Sequence, residues 1–150
     1  KVSKKRFNSG FTLAEILLVT GILAFALCAI LATYISCFVL TATSKNVNIA
    51  TNAALGLMEE IRSSAFSRIT NDYNGLNFIL SDIPLSRGVV YVDDTNPELL
   101  EVTISVCWRQ GNRIIGEDTN LNGILDAGED ANGNGIIDST VQLVTRIANR

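Results

Sequence analysis

Residues 11–40 read FTLAEILLVTGILAFALCAILATYISCFVL, and Glu15 is the one charged side chain among them. A bilayer core takes about 20 apolar residues in helical form. Ile16 to Leu40 is therefore long enough to cross it with some tilt. A surface helix of a compact soluble domain keeps a polar face for water, and this stretch has none. The reading is a membrane-spanning helix, and a folded head must be built from the residues C-terminal to it.

Charge divides the chain at this segment. Lys1, Lys4, Lys5 and Arg6 stand ahead of it, and all 15 acidic residues lie behind Phe11. Bases beside a span hold that end in the cytoplasm, so the acidic remainder is expected on the far side of the inner membrane. Phosphate binding needs a basic surface, and no nucleic-acid partner is expected. The chain has no histidine and 3 cysteines. Cys28 and Cys37 are nine residues apart in the expected helix, on opposite faces and roughly 13 Å apart along its axis. That separation is too large for a bridge within one chain. Cys107 falls on an expected strand. No zinc or CxxC spacing occurs, and the carboxylates stand in metal-ligand spacing rather than as an acid/base pair, so no enzyme activity is expected.

The front of the chain, KKRFNSGFTLAE, inverts the order of a secretory signal. There the small-residue cleavage site comes after the apolar run; here Gly10 precedes it. A cut after Gly10 removes the basic leader and keeps the helix. This arrangement, Gly10-Phe11-Thr12-Leu13-x-Glu15 and then unbroken apolar sequence, resembles the signal of type IV prepilins and type II secretion pseudopilins. The resemblance implies cleavage between Gly10 and Phe11 by prepilin peptidase and N-methylation of Phe11. It also implies an assembly role for Glu15 and, as partners, other pilin or pseudopilin subunits in a fibre that is periplasmic or at the cell surface. A carboxylate within a span is costly and marks a functional position. The amine created at Phe11, in the same chain or a neighbouring subunit, is the partner expected for Glu15. Many pilins carry a proline about twenty residues into the mature chain; this span has none, and Gly21 is its one weak point.

From Thr41 to about Ser67 no proline occurs. Val47, Ala50, Ala54, Leu57, Met58, Ile61 and Ala65 recur at spacings of three and four, an amphipathic continuation of the helix. Residues 68–86 are turn-rich and read as a loop. Strands are expected at Val89–Val92, Leu100–Arg109, Asn112–Ile115 and Val141–Ile147. The second alternates, with Val102, Ile104, Val106 and Trp108 towards the helix and Glu101, Thr103, Ser105 and Cys107 on the other face. The expected fold is α+β: a long N-terminal helix, transmembrane then amphipathic, packed on a small antiparallel sheet of three or four strands. Its divisions are a leader (1–10), a transmembrane assembly helix (11–40), a stalk (41–67) and a head (68–150). The stalk and final strands resemble those of minor pilins of the PilV type and the I-class pseudopilins.

Between the last two strands lies EDTNLNGILDAGEDANGNGIID (117–138), an internal repeat of period twelve with six acids and no base. Calcium takes six to eight oxygens, and a twelve-residue loop supplies them from positions 1, 3, 5, 7 (a carbonyl), 9 and 12 around a glycine at 6. The first loop fills every slot: Asp118, Asn120, Asn122, the carbonyl of Ile124, Asp126 and Glu129, with Gly123 at the turn. The second offers Asp130, Asn132, Asn134, Ile136 and Asp138 around Gly135, and its twelfth residue, Val141, cannot ligate. The loops resemble EF-hand, dockerin and thrombospondin type 3 calcium loops. One or two calcium ions are expected, the second more weakly held unless Asp138 completes a shared cluster. The alternative to a fibre subunit is a membrane-tethered, calcium-dependent adhesin that does not polymerise.

Overall fold

A computed structural model describes residues 11–149, and the chain folds as two compact units divided after Ala42. Its elements are α1 (Leu13–Ser63), α2 (Phe66–Tyr73), β1 (Asn77–Phe78), β2 (Ser86–Asn96), β3 (Leu99–Gln110), β4 (Arg113–Ile115) and β5 (Val141–Ala148). The architecture is α+β, a long N-terminal helix with a small antiparallel sheet. The sheet has five strands, one more than the upper expectation, and the additional strand, β1, is only two residues long.

The first unit is the early part of α1. Thr12 caps it: its hydroxyl oxygen accepts the Glu15 N–H at 3.2 Å, and its carbonyl accepts the Ile16 N–H. Ser/Thr-x-x-Glu is a favourable helix start. Side chains here are exposed on every face, and the most apolar window has a mean hydropathy of 2.6. The helix is long and apolar enough to cross a membrane. Its serine and threonine hydroxyls from Thr20 to Thr41 do not spoil that property, because they bond to their own helix. Thr20 donates to the Leu17 carbonyl, Thr33 to Ala29, Ser36 to Ala32 and Thr41 to Cys37, at 2.8–3.0 Å. A hydroxyl satisfied this way presents no free donor to hydrocarbon. The helix also runs through Gly21 without a break.

The second unit holds the rest of α1 and the sheet. Most of the expected stripe packs: Ala50, Ala54, Met58 and Ile61 are buried, with Val47 and Leu57 beside them, while Ala65 is exposed beyond the helix end. Ala50 and Ala54 are one turn apart and share the buried face. The stripe meets Val90, Val92, Val102, Ile104, Val106 and Trp108, together with Leu143 and Ile147. Gln110 ties the layers together: its Oε1 accepts from Asn46 Nδ2 at 2.6 Å and from the Trp108 indole N–H at 3.2 Å.

The helix stops earlier than the sequence suggests. Ser63 and Ser64 both donate to the Glu60 carbonyl, at 2.7 and 3.1 Å, and Ala65 is extended (φ −65°, ψ 130°). Competing hydroxyls of this kind loosen a helix end without proline or glycine. The chain restarts as α2 and buries Ile69, so the first part of the expected loop at 68–86 is helical.

β3 is the central strand. One edge pairs with β2, in register Val90↔Ile104 and Val92↔Val102. The other edge pairs first with β4, where Ile115 faces Trp108, and then with β5, where Val141 faces Val106. β2 runs on to Asn96, beyond the expected Val92, because its exposed end pairs with β3 across the Pro97-Glu98 turn.

Candidate functional site

The acidic insert does not hang free of the sheet. Leu121, Leu125 and Ile137 from the insert pack with Val89, Tyr91 and Cys107 on the sheet face opposite α1. Leu125 and Ile137 both occupy the eighth position of a repeat, so the period of twelve places one apolar anchor per loop on the strands. Polar contacts fix the same layer. Arg87 donates to the Leu121 carbonyl at 3.1 Å, and the Tyr91 hydroxyl accepts the Ile137 N–H at 3.1 Å. Ser139 donates to the Val106 carbonyl. A Cβ on Gly116 would meet the Cys107 sulfur at 2.2 Å, and one on Gly123 would meet Asn77 Oδ1 at 1.9 Å. Ser105 and Cys107 are thereby buried, although they alternate away from the helix. Burial pushes the Cys107 thiol up, which keeps it protonated and inert.

Within the insert the two loops share most of their bonds. In the first, Asp118 accepts the N–H groups of Asn122 (3.0 Å) and Gly123 (2.8 Å). In the second, Asp130 accepts those of Asn134 (3.1 Å) and Gly135 (2.9 Å). Asn120 and Asn122 both reach Asp126 Oδ2, at 2.7 and 2.8 Å. Asn132 and Asn134 both reach Asp138 Oδ2. Positions 3, 5 and 9 thus meet at one point in each loop. Gly123 and Gly135 have φ of 79° and 77°, the left-handed turn that glycine takes without strain.

Glu129 closes the first loop. It is 7% exposed, and its Oε1 accepts from the Thr119 N–H (2.8 Å) and hydroxyl (2.6 Å) while Oε2 accepts the Asp126 N–H (3.1 Å). The Thr119 hydroxyl leads in holding its carboxyl below the ordinary glutamate range, so it stays ionised. Glu117, which is absent from the ligand set expected from the sequence, closes the second loop from outside it. Its Oε1 accepts the Ala131 N–H (3.1 Å) and its Oε2 the Asp138 N–H (3.0 Å).

The donor set suits a hard cation. Each loop offers carboxylate and amide oxygens and no sulfur or nitrogen ligand. Each Asn oxygen gives one lone pair to a backbone N–H and retains another. Among the described residues, no three His, Cys, Asp or Glu side chains converge as a metal group by themselves. The convergence in each loop is of one carboxylate with two amides. None of the ion pairs among the described residues involves an acid of the insert, yet Asp118 is fully buried.

Of the other predicted positions, Gly10 lies outside the described residues. Phe11 is exposed, and Glu15 stands exposed in the first turn of α1. Ile124 is exposed at the seventh position of the first loop, and Ile136 is half-buried at that of the second. No family model, curated protein or solved structure matches the chain.

Proposed function

We propose that this chain is a structural subunit, a minor pilin or pseudopilin, of a type IV pilus or type II secretion fibre. The observation that carries this reading is the first stretch of α1. It is apolar on every face, its Thr20, Thr33, Ser36 and Thr41 hydroxyls bond to their own helix, and it begins at a capped turn bearing the one carboxylate of the span. Such a helix suits lateral packing first among lipids and then among identical helices. The resemblance at Gly10-Phe11-Thr12-Leu13-x-Glu15 supplies the direction: N-terminus in the cytoplasm, leader removed, Phe11 methylated, head exported. Calcium in the insert then acts structurally, by holding six carboxylates against the sheet. The fully buried Asp118, which accepts the Asn122 and Gly123 N–H groups and has no basic partner among the described residues, is consistent with that role, because buried charges are paired or coordinate metals.

Intact-mass analysis of the protein from native membranes tests the proposal. The expected species lacks residues 1–10 and carries one added methyl group. An uncut chain in cells with active prepilin peptidase would overturn the fibre reading and leave a tethered calcium-binding protein.

A further inference from the structure

We propose that the end of the head at which the chain enters it docks on anionic phospholipid headgroups, in the leaflet from which the span emerges. The inference rests on the membrane-spanning reading of α1 and gives the head a partner that the fibre reading does not supply.

α1 and β3 run in opposite directions. Asn46, near the start of the second unit, bonds to Gln110 at the end of β3. Arg62, near the end of α1, donates to Thr145, which pairs with Val102. The Gln110 end of the sheet is therefore where the chain arrives from the apolar run. Lys45, Arg87, Arg109 and Arg113 gather there. Lys45 precedes Asn46, Arg113 pairs with Gln110, Arg109 is the penultimate residue of β3, and Arg87 pairs with Cys107. Lys45, Arg109 and Arg113 are exposed, and the four take no part in the ion pairs among the described residues. The other described bases of the head are all paired: Arg62 with Glu59, Arg68 with Asp72 and Arg146 with Glu101. Asp82 is an exposed acid in the turn before β2. In the adjoining insert, Asp118 and Glu129 are engaged by N–H groups of their own loop. The opposite end of the sheet, the β2–β3 turn, exposes Asp93, Asp94 and Glu98. The sheet is thus polarised, with bases where the chain enters and acids at the far turn. An anionic surface attracts the first end and repels the second.

Apolar side chains mark the same rim. Ile79 and Leu85 are 58% and 54% exposed, and they line a shallow depression together with Arg87 and Arg109. The Leu85 carbonyl accepts the Arg109 N–H at 2.8 Å. Guanidinium groups beside exposed aliphatic side chains suit the headgroup boundary, where the first fork phosphate oxygens and the second leave water. Chain connectivity gives a matching depth. Lys45 follows Leu40, the last of the apolar run, by about 8 Å of helix, and the headgroup layer flanking a bilayer core is about 5–8 Å deep.

The test is amide hydrogen exchange of the full chain in lipid nanodiscs, one copy per disc, comparing a zwitterionic bilayer with one containing phosphatidylglycerol. Gly111 and Asn112, in the β3–β4 turn, are expected to exchange several-fold more slowly in the anionic discs, and raised salt should erase the difference. The triple variant Lys45→Gln, Arg109→Gln, Arg113→Gln should abolish it with β3 amides unchanged, because each base near an anionic surface contributes roughly fivefold in binding. Arg87, which donates to the Leu121 carbonyl, is left in place. The pair Arg62→Gln, Arg146→Gln, away from the rim, should keep the difference. Equal exchange of Gly111 and Asn112 in both bilayers, with the span amides protected in each, overturns the docking and leaves the membrane-spanning reading standing. Span amides that exchange freely overturn both. Slowing that needs two copies per disc assigns the rim to a second subunit, and slowing that inorganic phosphate reproduces in zwitterionic discs assigns it to a free anion; either result overturns the proposal.

Discussion

β3 is buried on both faces, but by different materials. Towards α1 it presents Val102, Ile104, Val106 and Trp108 to a stripe of alanine, methionine and isoleucine. Towards the insert it presents Thr103, Ser105 and Cys107 to a layer without regular secondary structure. The first face is held by apolar area, which needs no particular ion or pH. The second has a small apolar cluster of Val89, Cys107, Ile137 and their neighbours, reinforced by single hydrogen bonds and, on the proposed reading, by calcium. A helix buries a continuous stripe and excludes water by itself. A loop layer must satisfy every backbone N–H individually, and here aspartate, asparagine and glutamate side chains do so. The contrast predicts that damage on the helix side is global and damage on the insert side is local.

The largest effect should come from Trp108→Ala. The side chain is fully buried and its indole N–H bonds to Gln110. Loss of packing and the resulting cavity should cost about 3–5 kcal/mol, read as a lower urea midpoint of the chain in micelles. Gly123→Ala should come next. It forces a side chain to φ 79° and drives Cβ into Asn77, at about 1–3 kcal/mol. Its signature should be local: faster protease nicking between Glu117 and Asp138, with the urea transition of the helix–sheet core little changed. Tyr91→Phe should be smallest, about 1 kcal/mol. It removes the acceptor of the Ile137 N–H while keeping the ring, and accelerated exchange of that one amide is the measurement. If Gly123→Ala lowered the whole transition as far as Trp108→Ala, the two faces would be one cooperative layer and the comparison would fail.

Much of the helix side was legible in the sequence. Alternation along Leu100–Arg109 named the residues facing α1, and three-four spacing named Ala50, Ala54, Met58 and Ile61. Both signals report periodicity, and packing enforced it. The helix break at Ser63–Ala65 was not legible, because two serines bonding to one carbonyl leave no proline or glycine mark. The cover over Ser105 and Cys107 was also hidden. Alternation says which side chains share a face and is silent on what lies above them. At the candidate site the period of twelve is matched by shared backbone contacts: Asp118 and Asp130 each accept N–H groups of their own loop. It also contained Glu117, twelve residues ahead of Glu129. Only the structure shows that this glutamate accepts the N–H groups of Ala131 and Asp138, in the repeat that follows its own.

The registers of β4 and β5 carry one more consequence. Ile115 faces Trp108 and Val141 faces Val106, so only Cys107 lies between them on β3. The two short strands are successive lengths of a single line, interrupted where residues 116–140 leave the sheet and return. The acidic segment is therefore a detachable cassette: a single residue opposite Cys107 could splice its ends, and the scaffold beneath would keep its hydrogen-bond ladder whether the cassette was present, exchanged or lost.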